Sequence, residues 1–125
     1  IRSDKLPVFK TYKAVITQLF HGLLDNAIKY SKVDVPPVID IKVEEKEDEW
    51  LFSVKDNGIG IDPKFFDKIF DIFQRLHDRD KYKGTGIGLS ITKRSVEFLG
   101  GEIWLTSELG VGTTFFFTVA KNQLI

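Results

Sequence analysis

The residues best equipped for chemistry are Asp56-Asn57-Gly58-Ile59-Gly60-Ile61. They follow a β-patterned run and precede Asp62-Pro63, which reads as a helix start. An acidic side chain fixed at a strand end can accept a hydrogen bond from a ligand. Two glycines beside it let backbone approach something flat or charged. Asp-Asn-Gly is also a common turn sequence, so the reading depends on what else the chain brings.

Two other stretches supply that company. In the run from Tyr12 to Lys29, a helical pitch of about 100° per residue puts Gln18, Gly22, Asn26 and Lys29 along one polar edge. His21 and Asp25 fall further round, towards solvent. Downstream, the chain turns polar and basic through Arg75, His77, Arg79, Lys81 and Lys83, then reaches Gly84-Thr85-Gly86-Ile87-Gly88-Leu89. A basic segment ending in a glycine hinge suits a mobile cover over an anion, although a disordered surface loop would look the same. Glycines at a helix N-terminus also leave free N–H groups and the helix dipole facing a phosphate.

These stretches need a scaffold, and the hydrophobic pattern supplies one. Residues Ile1 to Thr11 read as a loop or short extended lead-in. Val15, Ile16, Leu19, Phe20, Leu23, Leu24 and Ala27 recur at helical spacing and predict a long helix from about Tyr12. Val38, Ile39, Ile41 and Val43, then Trp50, Phe52 and Val54, alternate as two strands joined by a charged turn over Glu44 to Glu49. Asp62 and Pro63 predict the N-cap and first residue of a short helix through about Phe70. The aromatics Phe65, Phe66, Phe70 and Phe73 read mostly as core. A second long helix is predicted from Ile87 to Leu99, stopped by Gly100-Gly101. A strand over Glu102 to Ser107, a tight turn at Gly110-Val111-Gly112 and a last strand over Thr113 to Ala120 complete the chain.

The chain has 125 residues, enough for one domain with a single core. Eighteen basic side chains balance eighteen acidic ones, which removes any bulk electrostatic case for nucleic acid. There is no cysteine, hence no disulfide framework or thiolate chemistry. No apolar run is long enough to span a bilayer, and no signal-peptide pattern opens the chain. Beginning at Ile1 without an initiator methionine, it reads as a domain excised from a longer protein. The phosphate-loop signature G-x-x-x-x-G-K-[ST], zinc spacings, a calcium loop and a nucleophile elbow are all absent. A dinucleotide fingerprint fails on context, because the glycines at 84–88 follow a long polar loop rather than a strand.

Taken together, the motifs resemble the ATP-binding catalytic domain of sensor histidine kinases, within the wider group of gyrase-type topoisomerases, heat-shock chaperones and mismatch-repair ATPases. The resemblance runs from about Leu6 to Ala120. Leu23-Leu24-Asp25-Asn26-Ala27-Ile28-Lys29-Tyr30-Ser31 resembles the N box and Asp56-Asn57-Gly58-Ile59-Gly60 the first G box. Phe70-Asp71-Ile72-Phe73-Gln74-Arg75 resembles the F box. Gly84-Thr85-Gly86-Ile87-Gly88-Leu89 and Gly110-Val111-Gly112-Thr113-Thr114-Phe115 resemble the second and third G boxes. Each is weak singly; five in this order and spacing are specific.

The resemblance implies an α/β (α+β) two-layer sandwich, a mixed sheet with helices packed on one face, known as the Bergerat fold. It implies ATP and Mg²⁺ as cofactors. Asp56 would accept a hydrogen bond from the adenine amino group, and Asn26 would ligate Mg²⁺ through its amide oxygen. Lys29 and Arg75 would hold phosphates, with Arg75 nearest the transferred group, and Tyr30 would pack near the base or ribose. Gly58 and Gly60 would give the base room. Gly84, Gly86 and Gly88 would let backbone N–H groups cradle phosphate. Ile61, Phe73, Lys83, Thr85, Ile87, Leu89 and Thr114 would complete the pocket. Catalysis by Asn26 and Arg75 would consist of positioning and charge stabilisation.

The implied function is transfer of the ATP γ-phosphoryl group to a histidine on a dimerisation segment, within two-component signalling. The implied partners are that segment and a response-regulator receiver domain, in the cytoplasm, with the parent either soluble or membrane-anchored. One departure qualifies this. The family pattern has Asn four residues before the Mg²⁺-binding Asn, and hydrolytic relatives have Glu; here the position is Gly22. No carboxylate there can activate water, which disfavours hydrolysis. The alternative is a nucleotide-binding interaction module with weak or no turnover. Neither His21 nor His77 has the sequence context of a phosphoacceptor, so the chain alone is expected to bind ATP but to label itself poorly.

Overall fold

The computed structural model describes residues 2–3, 13–66, 69–70 and 88–121. Among the described residues, two helices pack on one face of a sheet. Strand β1 is Arg2–Ser3, followed by helix α1 at Lys13–Lys29. Strands β2 (Ile39–Glu45) and β3 (Glu49–Asp56) form a hairpin. After a single 3₁₀ turn at Pro63–Phe65 come helix α2 (Gly88–Phe98), strand β4 (Ile103–Glu108) and strand β5 (Gly112–Ala120). The sheet order is β1-β2-β3-β5-β4. Only β1 and β2 are parallel; the other neighbours are antiparallel, so the sheet is mixed.

Period-2 alternation turns Phe52, Val54, Phe115, Phe117 and Val119 to the helices, all at 2% exposure or less. From α1 they meet Leu19, Leu23 and Ala27; from α2, Leu89 and Val96, with Leu99 just beyond its end. Phe52 and Phe117 face each other in register and stack at 4.8 Å with rings 4° apart. The Phe20 ring meets both edge-on, at 5.9 and 5.5 Å, and so locks α1 to the centre of the sheet.

Helix α2 buries Thr92, Ser95 and Val96 and exposes Lys93, Arg94 and Glu97. Its end is fixed by Gly100 at φ +75°: the Gly100 N–H returns to the Glu97 carbonyl and the Gly101 N–H to the Val96 carbonyl.

Two expectations change. Arg2–Ser3 is more than a lead-in, since it pairs with Asp40 and Ile41 as an edge strand. The helix expected through Phe70 is a single 3₁₀ turn. Its N-terminus is as predicted, with the Asp62 carboxylate accepting from the Lys64 N–H at 3.0 Å and Pro63 following. The Phe65 and Phe66 N–H groups then bond three residues back, and the turn ends there. Beyond it, Ile69 is buried and the Phe70 ring meets Phe115 edge-on at 6.2 Å, in keeping with a core role.

Candidate functional site

Three segments converge on the C-terminal end of β3. The first is the end of α1, where the Tyr30 carbonyl accepts the Ile59 N–H at 2.9 Å. A Cβ on Gly58 would collide with that same carbonyl. The second is the β4–β5 turn, where the Gly110 N–H donates to the Ile59 carbonyl at 2.9 Å. A Cβ on Gly60, which has φ +80°, would strike the Glu108 carbonyl. A side chain at either glycine would therefore run into the chain's own backbone. The third is the start of β5, where a Cβ on Gly112 would meet the Asp56 carbonyl.

Asp56 sits at this junction, 8% exposed. Its Oδ1 accepts the Gly58 N–H at 2.8 Å and the Thr113 N–H at 3.2 Å. Burial pushes its pKa up from the usual 3.8, and the two backbone N–H bonds pull part of the way back. Both bonds fall on one oxygen. Among the described residues none donates to Oδ2, which makes Asp56 a fixed, buried acceptor.

Asn57 turns away from this centre. Its side-chain oxygen accepts the Val38 N–H at 2.9 Å and its amide donates to the Pro36 carbonyl at 3.2 Å. It clips the loop that follows α1. Ser107 is a second organiser: its hydroxyl accepts the Ile61 N–H at 2.7 Å and donates to the Gly112 carbonyl at 2.8 Å. Neither was given this joining role from sequence, because an Asn in a turn and a Ser ending a strand are ordinary there. Only the fold shows which segments they join.

The remaining expected site residues are distributed as follows. Asn26 is buried on α1 at 7% exposure, one turn before Tyr30, which is half-buried. Lys29 is exposed and pairs with Asp25 at 3.0 Å. His21 is exposed, consistent with its helical phase. Ile61 is half-buried against the core, and Leu89 is a core residue of α2. Gly88 begins α2. Thr114 and Thr113 exchange places relative to expectation. Strand alternation puts Thr113 on the face of Phe115, beside Asp56, and Thr114 on the other. Phe73, Arg75, Lys83, Gly84, Thr85, Gly86 and Ile87 lie outside the described residues.

Among the described residues no three His, Cys, Asp or Glu side chains are grouped to hold a metal. A Mg²⁺ ion here would fit Asn26 with phosphate oxygens completing its shell, since that ion commonly takes few protein ligands. Among the described residues no helix is long and apolar enough to cross a membrane.

Residues 12–123 match the family of histidine kinase-, DNA gyrase B- and HSP90-like ATPases. Cyanobacterial phytochrome A of Nostoc is 54% identical over 119 residues, 95% of this chain and 15% of that protein. Sensor histidine kinase WalK of Bacillus subtilis is 43% identical over 110 residues, 86% of this chain and 18% of that protein. The chain thus spans under a fifth of the length of these relatives. Among solved structures, the catalytic domain of histidine kinase ThkA superposes with a TM-score of 0.76 at 29% identity, over 96% of this chain and 76% of that one. The fold is also that of ShkA, whose full-length structure was solved with AMPPNP (TM-score 0.79, 24% identity, 98% of this chain and 25% of that one). With five motifs in order, a buried acceptor at the end of β3 and this sheet, the chain belongs to that ATPase family, as a histidine kinase ATPase domain.

Proposed function

We propose that the chain binds ATP with Mg²⁺ and presents the γ-phosphoryl group to a histidine on a dimerisation segment, from which a response-regulator receiver domain takes it. The observation that carries this reading is the Asp56 carboxylate, buried with one oxygen held by two backbone N–H groups. Such a group can accept a hydrogen bond from the exocyclic amine of adenine. Mg²⁺ when bound neutralises phosphate charge and orients the phosphates.

The chain's own side chains would do the rest. Asn26 would supply the amide oxygen to the ion, and Lys29 would exchange Asp25 for a phosphate. The N-terminus of α2, preceded by the glycines at 84 and 86, would offer backbone N–H groups. Arg75 would stabilise the transferred group, and Tyr30, Lys83 and Phe73 would line the pocket. Phosphoryl transfer asks for little beyond this positioning and charge stabilisation.

Titration calorimetry with ADP and Mg²⁺ tests the binding. Incubation with labelled ATP and a separately made dimerisation segment tests the transfer, which should place label on histidine. Gly22 favours a second reading, a binding module with little turnover. Tight ATP binding without transfer, restored by Gly22→Asn, would select it.

A further inference from the structure

The two edges of the sheet are finished differently. Strand β1, at one edge, is only Arg2–Ser3. Strand β4, at the other, runs from Ile103 to Glu108, and among the described residues no strand lies beyond it. It has neither proline nor lysine, and its register with β5 is unbroken, so no bulge turns it aside. The phase of its backbone is fixed at its start, where the Thr118 N–H donates to the Glu102 carbonyl at 3.0 Å. Antiparallel neighbours alternate between bonded and non-bonded pairs, so Trp104, Thr106 and Glu108 also turn their N–H and C=O groups towards β5. Ile103, Leu105 and Ser107 turn theirs to the open edge, a template for one more strand.

The side chains along this edge decide which strand would fit. Alternation buries Leu105 in the core and leaves Glu102, Trp104, Thr106 and Glu108 exposed on the face away from the helices. Trp104, at 40% exposure, stacks on its register partner Phe116 at 5.7 Å with rings 11° apart, which makes an aromatic shelf. A glutamate flanks the shelf at each end. A second copy of β4 laid antiparallel about Leu105 would set Glu102 opposite Glu108 at both ends, and like charges directly opposite are unfavourable. Basic side chains in the same two places are favourable.

We propose that the open edge of β4 is a docking site for an extended basic segment of a partner protein, which adds to the sheet as a further antiparallel strand. Lys or Arg of that segment faces Glu102 and Glu108, and β-branched residues between them lie beside Trp104 and Thr106. Main-chain bonds to Ile103, Leu105 and Ser107 supply affinity, and the alternate side chains supply selectivity. A seam one strand wide and about 20 Å long covers less than the roughly 1,200 Å² of a stable complex, so the association is weak and reversible.

The test is amide NMR of the 125-residue chain titrated with the capped heptapeptide Lys-Val-Thr-Val-Thr-Val-Lys, and with the same peptide carrying Glu at both ends. The lysine peptide should shift the amides of Ile103, Leu105 and Ser107, and its binding should weaken as salt is raised. The glutamate peptide should bind about tenfold more weakly. Ile103→Pro removes an outward N–H at the first position of the strand and should abolish binding of the lysine peptide. Should that variant fail to fold by circular dichroism, Glu102→Lys with Glu108→Lys changes exposed side chains only and should reverse the preference between the two peptides. A parent chain that takes neither peptide, or both equally, overturns the proposal, as does an unchanged preference in the double variant. So do shifts confined to the acidic β2–β3 turn, which would mark a charge contact alone. Dimerisation through β4 without peptide, seen in sedimentation, would assign the edge to a second copy and overturn it too.

Discussion

Thr113 and Asp56, 57 positions apart in sequence, meet where the Thr113 N–H donates to Asp56 Oδ1 at 3.2 Å. Gly58 donates to the same oxygen, yet burial outweighs both bonds and leaves the Asp56 pKa above 3.8. A carboxyl whose pKa is higher folded than unfolded binds its proton more tightly in the folded state. Stability therefore falls as pH rises from 3.8 through the folded pKa, and the penalty stands in full above it. Asp56→Asn keeps an oxygen for both N–H groups and removes the buried charge. The variant should be more stable than the parent in urea at neutral pH, with the advantage shrinking as pH is lowered towards 3.8. A variant less stable at neutral pH would mean that the charge stabilises the fold.

The same substitution should act in the opposite direction on ligand. Charge-assisted hydrogen bonds contribute roughly 1.5–3 kcal/mol, so Asp56→Asn should weaken ADP binding by about ten- to a hundredfold. In the parent chain, ADP affinity should fall as pH is lowered through the raised Asp56 pKa, and the variant should lose that dependence. Calorimetry across pH reads both. Unchanged affinity in the variant would remove Asp56 from the base site.

The glycines of the site separate into two kinds. A Cβ at Gly58 would strike the Tyr30 carbonyl, whereas Gly110, at φ +82°, has open space around it. Gly110→Ala should cost only the left-handed backbone penalty, about 1 kcal/mol. Gly58→Ala must push the last turn of α1 away and break the Ile59–Tyr30 bond, so it should cost more than Gly110→Ala and weaken ADP binding as well. Urea melts of the pair decide this; equal costs would show that the α1 junction yields freely.

Much of this arrangement was legible in the sequence because it rests on local rules. The helical repeat from Val15 to Ala27, the alternation of Phe115, Phe117 and Val119, and the Asp62-Pro63 start follow from residue type and spacing. The edge strand Arg2–Ser3 was not, since two residues carry no period and their pairing with β2 is non-local. The roles of Gly58, Gly60, Asn57 and Ser107 were hidden for the same reason: each is defined by a segment distant in sequence. Thr113 and Thr114 differ only by strand phase, and one residue of phase decides which face a side chain takes.

Phe20 joins the layers, its ring edge-on to the Phe52–Phe117 stack. It is half-buried, so Phe20→Ala should destabilise by about 3 kcal/mol, the low end for truncating a packed phenylalanine. Phe20→Leu keeps the volume on the apolar face and should recover most of that. An urea midpoint unchanged in Phe20→Ala would show that α1 is held by Leu19 and Leu23 alone.

Lys29 separates a structural contact from a binding one. Its pair with Asp25 is 3.0 Å long, but the two side chains are 33% and 48% exposed, and such pairs contribute little to stability. Lys29→Ala should therefore shift stability by no more than about 0.5 kcal/mol. Lys29 lies one turn from the buried Asn26, on the polar edge of α1, where a phosphate could draw it from Asp25 at small cost. The variant should bind ADP roughly tenfold more weakly and bind adenosine as the parent does, because only the phosphates lose a partner. Equal losses for ADP and adenosine would place the effect in the fold of α1, and no loss for either would leave the lysine as a surface ion pair.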